Sequence, residues 1–194
     1  MTQKYRFPCS FNLIRPVLHR GSRYNCRVFL WNGQILLIRP KMYMADEGNY
    51  RESRWFNCWL RPGEIDEHPL PAFMHDLQKS APFGDAILDF ADTSIAAEIC
   101  EELFAPLSPH LSLALAGNVE IFLNGSASHH EIGKLRRRFN LILGATAKVT
   151  NRINFHFYFT VYLFVLRSVD FIYILIKWVV MEIDYILMVP PWLA

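Results

Sequence analysis

No aspartate or glutamate occurs before Asp46, although Lys4, Arg6, Arg15, Arg20, Arg23, Arg27, Arg39 and Lys41 all do. A start poor in acids and containing arginine is one mark of an organelle transit sequence, but the strand pattern within it argues against that reading. No apolar h-region opens the chain, so no signal peptide is read there and a cytoplasmic location is expected. Cysteine is scarce: Cys9, Cys26, Cys58 and Cys100 show no Cys-x-x-Cys spacing. That pattern indicates neither a zinc site nor a disulfide framework, and it suits a reducing compartment. With a net charge of only +2, strong nucleic-acid affinity is not implied. A glycine-rich phosphate loop is also missing. The longest uncharged stretch of the far end, Ile153–Leu166, falls short of the ~20 residues a membrane span needs.

What is present is apolar and aromatic. Hydrophobic residues make up 52% and aromatics 14% of 194 residues, enough for one domain with a sizeable core. From Arg23 the chain alternates, with Tyr24, Cys26, Val28 and Leu30 on one side and Asn25, Arg27 and Phe29 on the other. Asn32-Gly33 and then Gln34–Ile38 follow, which predicts a hairpin, because both central residues of a type I′ turn need positive φ. Lys41 stands just past the end of the second strand. Met1–Ile14 carries no clear period. Met42–Pro71 reads as irregular, and Tyr50, Trp55, Phe56 and Trp59 suggest a loop folded over something. Pro82-Phe-Gly84 reads as a turn. Asp85–Phe90 and the strand into Cys100 are predicted to pair across Ala91-Asp92. Val119–Leu123 is predicted as a strand. From His129 the spacing of Ile132, Leu135, Phe139 and Ile142 predicts a helix on which Arg136, Arg137 and Arg138 form a solvated face.

The chain is organised around Glu98–Phe104. Thr93–Ile99 is small and β-branched and predicts a buried strand, while Glu101 and Glu102 open a short helical turn. A cysteine at such a junction is pushed out of the sheet with backbone N–H groups facing it. That presents a nucleophile to a carbonyl carbon, and the same N–H groups can hold the oxyanion. The competing reading of Cys100 is a small buried hydrophobe. Strands, turns and then a helix predict an α/β layered domain with functional residues at strand ends. Lys41, Cys100 and Ser126 or Ser128 all fall at such ends.

Three stretches together resemble the nitrilase (carbon–nitrogen hydrolase) superfamily, and within it the glutaminase domains of glutamine-dependent NAD⁺ synthetases. They are Arg23–Arg27 through Ile38-Arg-Pro-Lys-Met42 and Glu47-Gly-Asn-Tyr-Arg-Glu-Ser-Arg-Trp-Phe56; then Pro82–Asp85; then Glu98–Phe104 with Asn124–His130. The resemblance implies a partial αββα sandwich over residues 16–148, a non-matching start at 1–15 and a hydrophobic tail at 149–194. It implies Cys100 as the thiol that attacks the side-chain amide of glutamine, and Lys41 as the cation favouring thiolate and oxyanion. Glu47 would be a supporting carboxylate, Tyr50 and Phe104 pocket walls, Ser128 a polar contact and Lys134 a partner of the substrate carboxylate.

The departures carry as much. The family's general base is a glutamate on an early strand, and this chain has no acid there; Glu47, Glu98, Glu101 or Glu102 would have to substitute. The resemblance therefore implies a truncated, inactive form. ATP and deamido-NAD⁺ would belong to a synthetase domain for which this sequence has no phosphate loop, so no cofactor is expected on this chain. Expected partners are glutamine, a second copy or a full-length synthetase, and a membrane through the tail. A span there must bury Arg167 and Asp170, or Lys177 and Glu182, at ~2.5 kcal/mol or more each. Two alternatives stay open: a stand-alone hydrolase of another amide, and a non-catalytic, membrane-associated remnant.

Overall fold

The computed structural model describes residues 10–48, 50–91, 93–117, 119, 121–126, 136, 137, 140–142, 144, 160–168 and 171–177. Strands β1 (Ser10–His19), β2 (Ser22–Trp31) and β3 (Gln34–Pro40) form an antiparallel meander. The β2–β3 turn is the hairpin expected, with φ of 49° at Asn32 and 81° at Gly33. β1 was not foreshadowed, because Ser10–Ile14 mixes polar and apolar residues without a period.

Two more strands complete this sheet in the order β1-β2-β3-β7-β6. After the short β4 (Asp46–Glu47) and β5 (Tyr50–Arg51) come β6 (Ile65–Pro69) and β7 (Ser80–Gly84). Both β6 and β7 correct the sequence reading, which placed a loop at the first and a turn at Pro82-Phe-Gly84. Pro82 is tolerated in β7, and Ala81 and Phe83 on the alternate positions are buried. A second sheet has the order β10-β9-β8, from β8 (Leu88–Asp89), β9 (Ser94–Ile99) and β10 (Ile121–Gly125). The β8–β9 pair is antiparallel, as expected, and β10 runs parallel to β9.

A parallel pair requires a crossover, and here it contains α1 (Pro109–Gly117). α1 carries no amphipathic signal in its residues, because Leu111, Leu113, Ala114 and Leu115 spread apolar side chains round it.

The period of two in β2 and β3 decides what each face meets. Cys26, Val28 and Ile38 point to one side, where Trp59, Leu70, Ala81 and Phe83 close a core. Phe29 and Leu37 point to the other and pack on Ala97 and Leu123 of the second sheet. The far side of that sheet meets α1 through Ala96, Phe122 and Ala114. Helix, sheet and sheet are thus stacked in layers, an α/β arrangement. Of the four aromatics expected to fold inward, Trp59 is buried, Phe56 is partly buried, and Tyr50 and Trp55 are exposed.

Arg136, Arg137 and Asn140–Ile142 take helical backbone, with Ile142 buried and both arginines exposed, in the pattern expected. In the far end, β11 (Thr160–Ser168) and β12 (Phe171–Lys177) pair antiparallel. Among the described residues no helix is long and apolar enough to cross a membrane.

Candidate active site

β9 is buried along nearly its whole length and ends at Ile99; Cys100 then opens a 3₁₀ turn over Cys100–Phe104. Extended backbone cannot pass into that turn without a sharp reversal, and Cys100 takes it up with a φ of 47°. A left-handed conformation at a residue bearing a Cβ costs about 1–2 kcal/mol, so neighbouring contacts must hold it. Two come from β10 and its end. Ser126 Oγ donates to Cys100 Sγ at 3.1 Å, and Asn124 Nδ2 reaches the Cys100 carbonyl at 3.4 Å. Of the two serines the sequence offered, Ser126 is the one at the thiol; Ser128 and Lys134 lie outside the described residues.

Behind the elbow lies a buried polar group. Glu98 Oε1 accepts from Asn124 Nδ2 at 3.0 Å, and Glu98 Oε2 meets His110 Nδ1 at 3.0 Å. Glu98 is on β9, Asn124 on β10 and His110 on α1, so one carboxylate ties three elements together behind the thiol.

Lys41 is only 1% exposed, just past β3. Its Nζ is ion-paired with Glu52 Oε2. The same carboxylate accepts the Ala45 N–H at 3.0 Å and Asn25 Nδ2 at 2.6 Å. A buried ammonium is tolerable only when paired and hydrogen-bonded in this way. Glu52, which the sequence reading did not single out, is the carboxylate paired with Lys41; Glu47, to which that reading pointed, is exposed on β4. Nothing local separates them, since Arg51-Glu52-Ser53-Arg54 reads as a charged surface run.

The lysine and the cysteine are joined through Glu102. Its Oε1 accepts the N–H of Met42, next to Lys41, at 2.7 Å, and its Oε2 accepts the N–H of Ile99, next to Cys100, at 2.6 Å. Arg39 Nη1 is ion-paired with Glu102, and Arg39 Nε approaches Asp85 at 3.5 Å. Burial pulls the Arg39 guanidinium down, but Glu102, Asp85 and Glu98 together outweigh it and hold the group charged. Beside it, Arg27 is fully buried, and burial together with Arg39 pushes it down to about 9.

Tyr50 is 63% exposed on β5, and partial burial, Glu52 and Cys100 raise its phenol. Phe104 is half-buried at the end of the turn, with the Arg137 guanidinium 5.8 Å from its ring centre. Partial burial and Glu47 raise the carboxyl of Glu101, which Lys41 opposes. Lys41 meets Glu52 and Cys100 meets Ser126, while Glu47 is exposed on β4 and close enough to Glu101 to raise its carboxyl. Among the described residues no group of three or more His, Cys, Asp or Glu side chains is placed to hold a metal.

A thiol on a strained elbow, a hydroxyl on its sulfur and a buried, paired ammonium suit addition to an acyl carbon. Comparison with known proteins agrees with that chemistry. The chain is 53% identical over 135 residues to the glutamine-dependent NAD(+) synthetase of Bos taurus, covering 69% of this chain and 19% of that protein. It is 50% identical over 140 residues to that of Arabidopsis thaliana, covering 71% and 19%. It thus spans about a fifth of the length of these relatives. Among solved structures, a glutamine-dependent NAD(+) synthetase from Cytophaga hutchinsonii superposes with a TM-score of 0.55 at 29% identity, over 71% of this chain and 20% of that one. The family model for carbon-nitrogen hydrolases matches residues 8–148. With that match over most of its length, and with its α/β layers, the chain belongs to the carbon-nitrogen hydrolase family, in its nitrilase-like fold.

Proposed function

We propose that this chain acts on the side-chain amide of glutamine through a Cys100 thioester, as the ammonia-producing part of a glutamine-dependent NAD⁺ synthetase. The observation that carries the reading is the Ser126 hydroxyl on the Cys100 sulfur at a backbone elbow. The Cys100 thiol adds to the amide carbon, forming the S–C bond and moving the carbonyl electrons onto oxygen. Lys41 and the N–H groups of the Cys100–Phe104 turn stabilise that oxyanion. Collapse breaks the C–N bond, and nitrogen leaves as ammonia with the thiol proton. Water then cleaves the thioester to glutamate and restores the thiol. Tyr50 and Phe104 flank the substrate; Ser128 supplies a polar contact and Lys134 pairs with the substrate carboxylate.

Proton transfer is the weak point. No acid precedes Asp46, and Glu52, Glu98 and Glu102 are each committed to buried hydrogen bonds. Positioned acid–base catalysis contributes ~10²–10⁴-fold, so turnover by this chain alone depends on Glu47 or Glu101 taking the part of the base. ATP and deamido-NAD⁺ bind to no residue assigned here, and the ammonia passes to the synthetase domain of a full-length partner in the cytoplasm.

A glutamine-analogue chloroketone separates the readings. It is expected to label Cys100 stoichiometrically, with protection by glutamine and with far less ammonia released per hour than thiol acylated. Equal labelling by analogues of unrelated amides would replace glutamine with another substrate. Failure to label Cys100 with any of them would remove the hydrolase reading.

A further inference from the structure

Glu102 is the third residue of the turn that begins at Cys100, and it is fully buried. A glutamate there commonly reaches back to the N–H preceding a helical turn, and the bond from Ile99 N–H is that contact. The second contact has no such local purpose. Met42 donates to the other oxygen across 60 residues of sequence, and Met42 is the residue after Lys41. Arg39, on the same strand, adds an ion pair and is steadied by Asp85 from its other side.

A carboxylate is acceptor-only, and its two oxygens meet three donors here. Any shift of the Cys100 elbow relative to the end of β3 must lengthen one of these bonds. We propose that Glu102 is the positioning residue that fixes Cys100 and Lys41 at the separation needed to act on one amide carbon. The proposal rests on the hydrolase reading above for its chemistry, but the clamp has its own observables. Glu102 touches no substrate; it acts through the backbone on either side of it.

Two variants of the full chain test this. Glu102→Gln keeps the shape but turns one acceptor into a donor facing an N–H. Glu102→Asp keeps the charge against Arg39 but is one methylene short of spanning both backbone donors. Cys26 is fully buried, and burial pushes its thiol up, so its protection from iodoacetamide reports an intact fold. Mass spectrometry of the alkylated peptides follows Cys26 and Cys100 in the same sample. In both variants Cys26 is expected to stay protected while reaction of Cys100 with the chloroketone slows by about tenfold to a hundredfold. The pH–rate profile of Cys100 with iodoacetamide is expected to move as well.

Three results would overturn the proposal: an unchanged Cys100 rate and profile in Glu102→Gln; a parent-like Glu102→Asp beside an impaired Glu102→Gln, which reduces the role to charge; or Cys26 exposed in both, which reduces it to folding. Failure of the hydrolase reading looks different. The parent then ignores the chloroketone while the iodoacetamide profile still moves in Glu102→Gln.

Discussion

At Cys100 the backbone holds a conformation that suits glycine better than cysteine, and this can be measured separately from chemistry. Both Cys100→Ala and Cys100→Gly remove the thiol, but only glycine relaxes at a φ of 47°. Cys100→Gly is expected to be more stable than Cys100→Ala by about 1 kcal/mol in urea unfolding. Lys41 gives a second test. Lys41→Met leaves Glu52 buried without its cation, and a loss of about 3–5 kcal/mol is expected. Adding Glu52→Gln should recover a large part of that loss, because the double variant buries no charge at this pair. Recovery by Glu47→Gln instead would reverse the assignment of the two glutamates. The cysteine was legible in the sequence because strand, thiol and turn are adjacent in the chain. Glu52 was not, since its role comes from a fold-back that buries one of two acids in a single charged loop.

Among the elements, the β2–β3 hairpin was legible because Asn32-Gly33 is local turn chemistry. β7 was misread for the opposite reason. Pro82-Phe-Gly84 has turn composition, but Gly84 is used for close strand approach: its φ is 156°, and a Cβ there would run into the backbone of Glu64 and Ile65. The two glycines therefore differ in cost. Gly33→Ala meets open space and pays only for its positive φ, about 1 kcal/mol. Gly84→Ala must part β7 from β6, and a loss above ~3 kcal/mol is expected. Thermal unfolding of the two variants side by side checks the order. α1 escaped detection because it has apolar residues all round, so burial against β9, rather than periodicity, defines it.

For the molecule as a whole, pH dependence is set by a cluster on the large sheet, far in sequence from the thiol. His19 Nδ1 and His68 Nδ1 lie 3.0 Å apart, one donating and one accepting. His19 also meets Asp66 and stacks on Phe83, while Arg20 and Arg61 face Asp66. Burial and His19 lower His68 from its ordinary 6.5. The unfolded chain therefore takes that proton first, and stability present above about 6.5 falls as the pH drops through it. The hydrogen bond from Arg61 lowers Asp66 to about 2, so its contribution persists down to 3.8 and is lost below. Melting temperature is expected to decline from about pH 7 to about pH 5. His68→Gln should flatten that decline without altering the loss in stronger acid.

The clamp at Glu102 also bears on timing. Arg39 and Glu102 are 63 residues apart, and β9 gains its parallel neighbour only when β10 is made. Contacts so distant along the chain form late in folding. A nascent chain would thus hold its cysteine without the Ser126 and Asn124 contacts until β10 docks. Reactivity arrives with completion, which spares the ribosome-bound polypeptide from acylation while its lysine and its cysteine are still strangers.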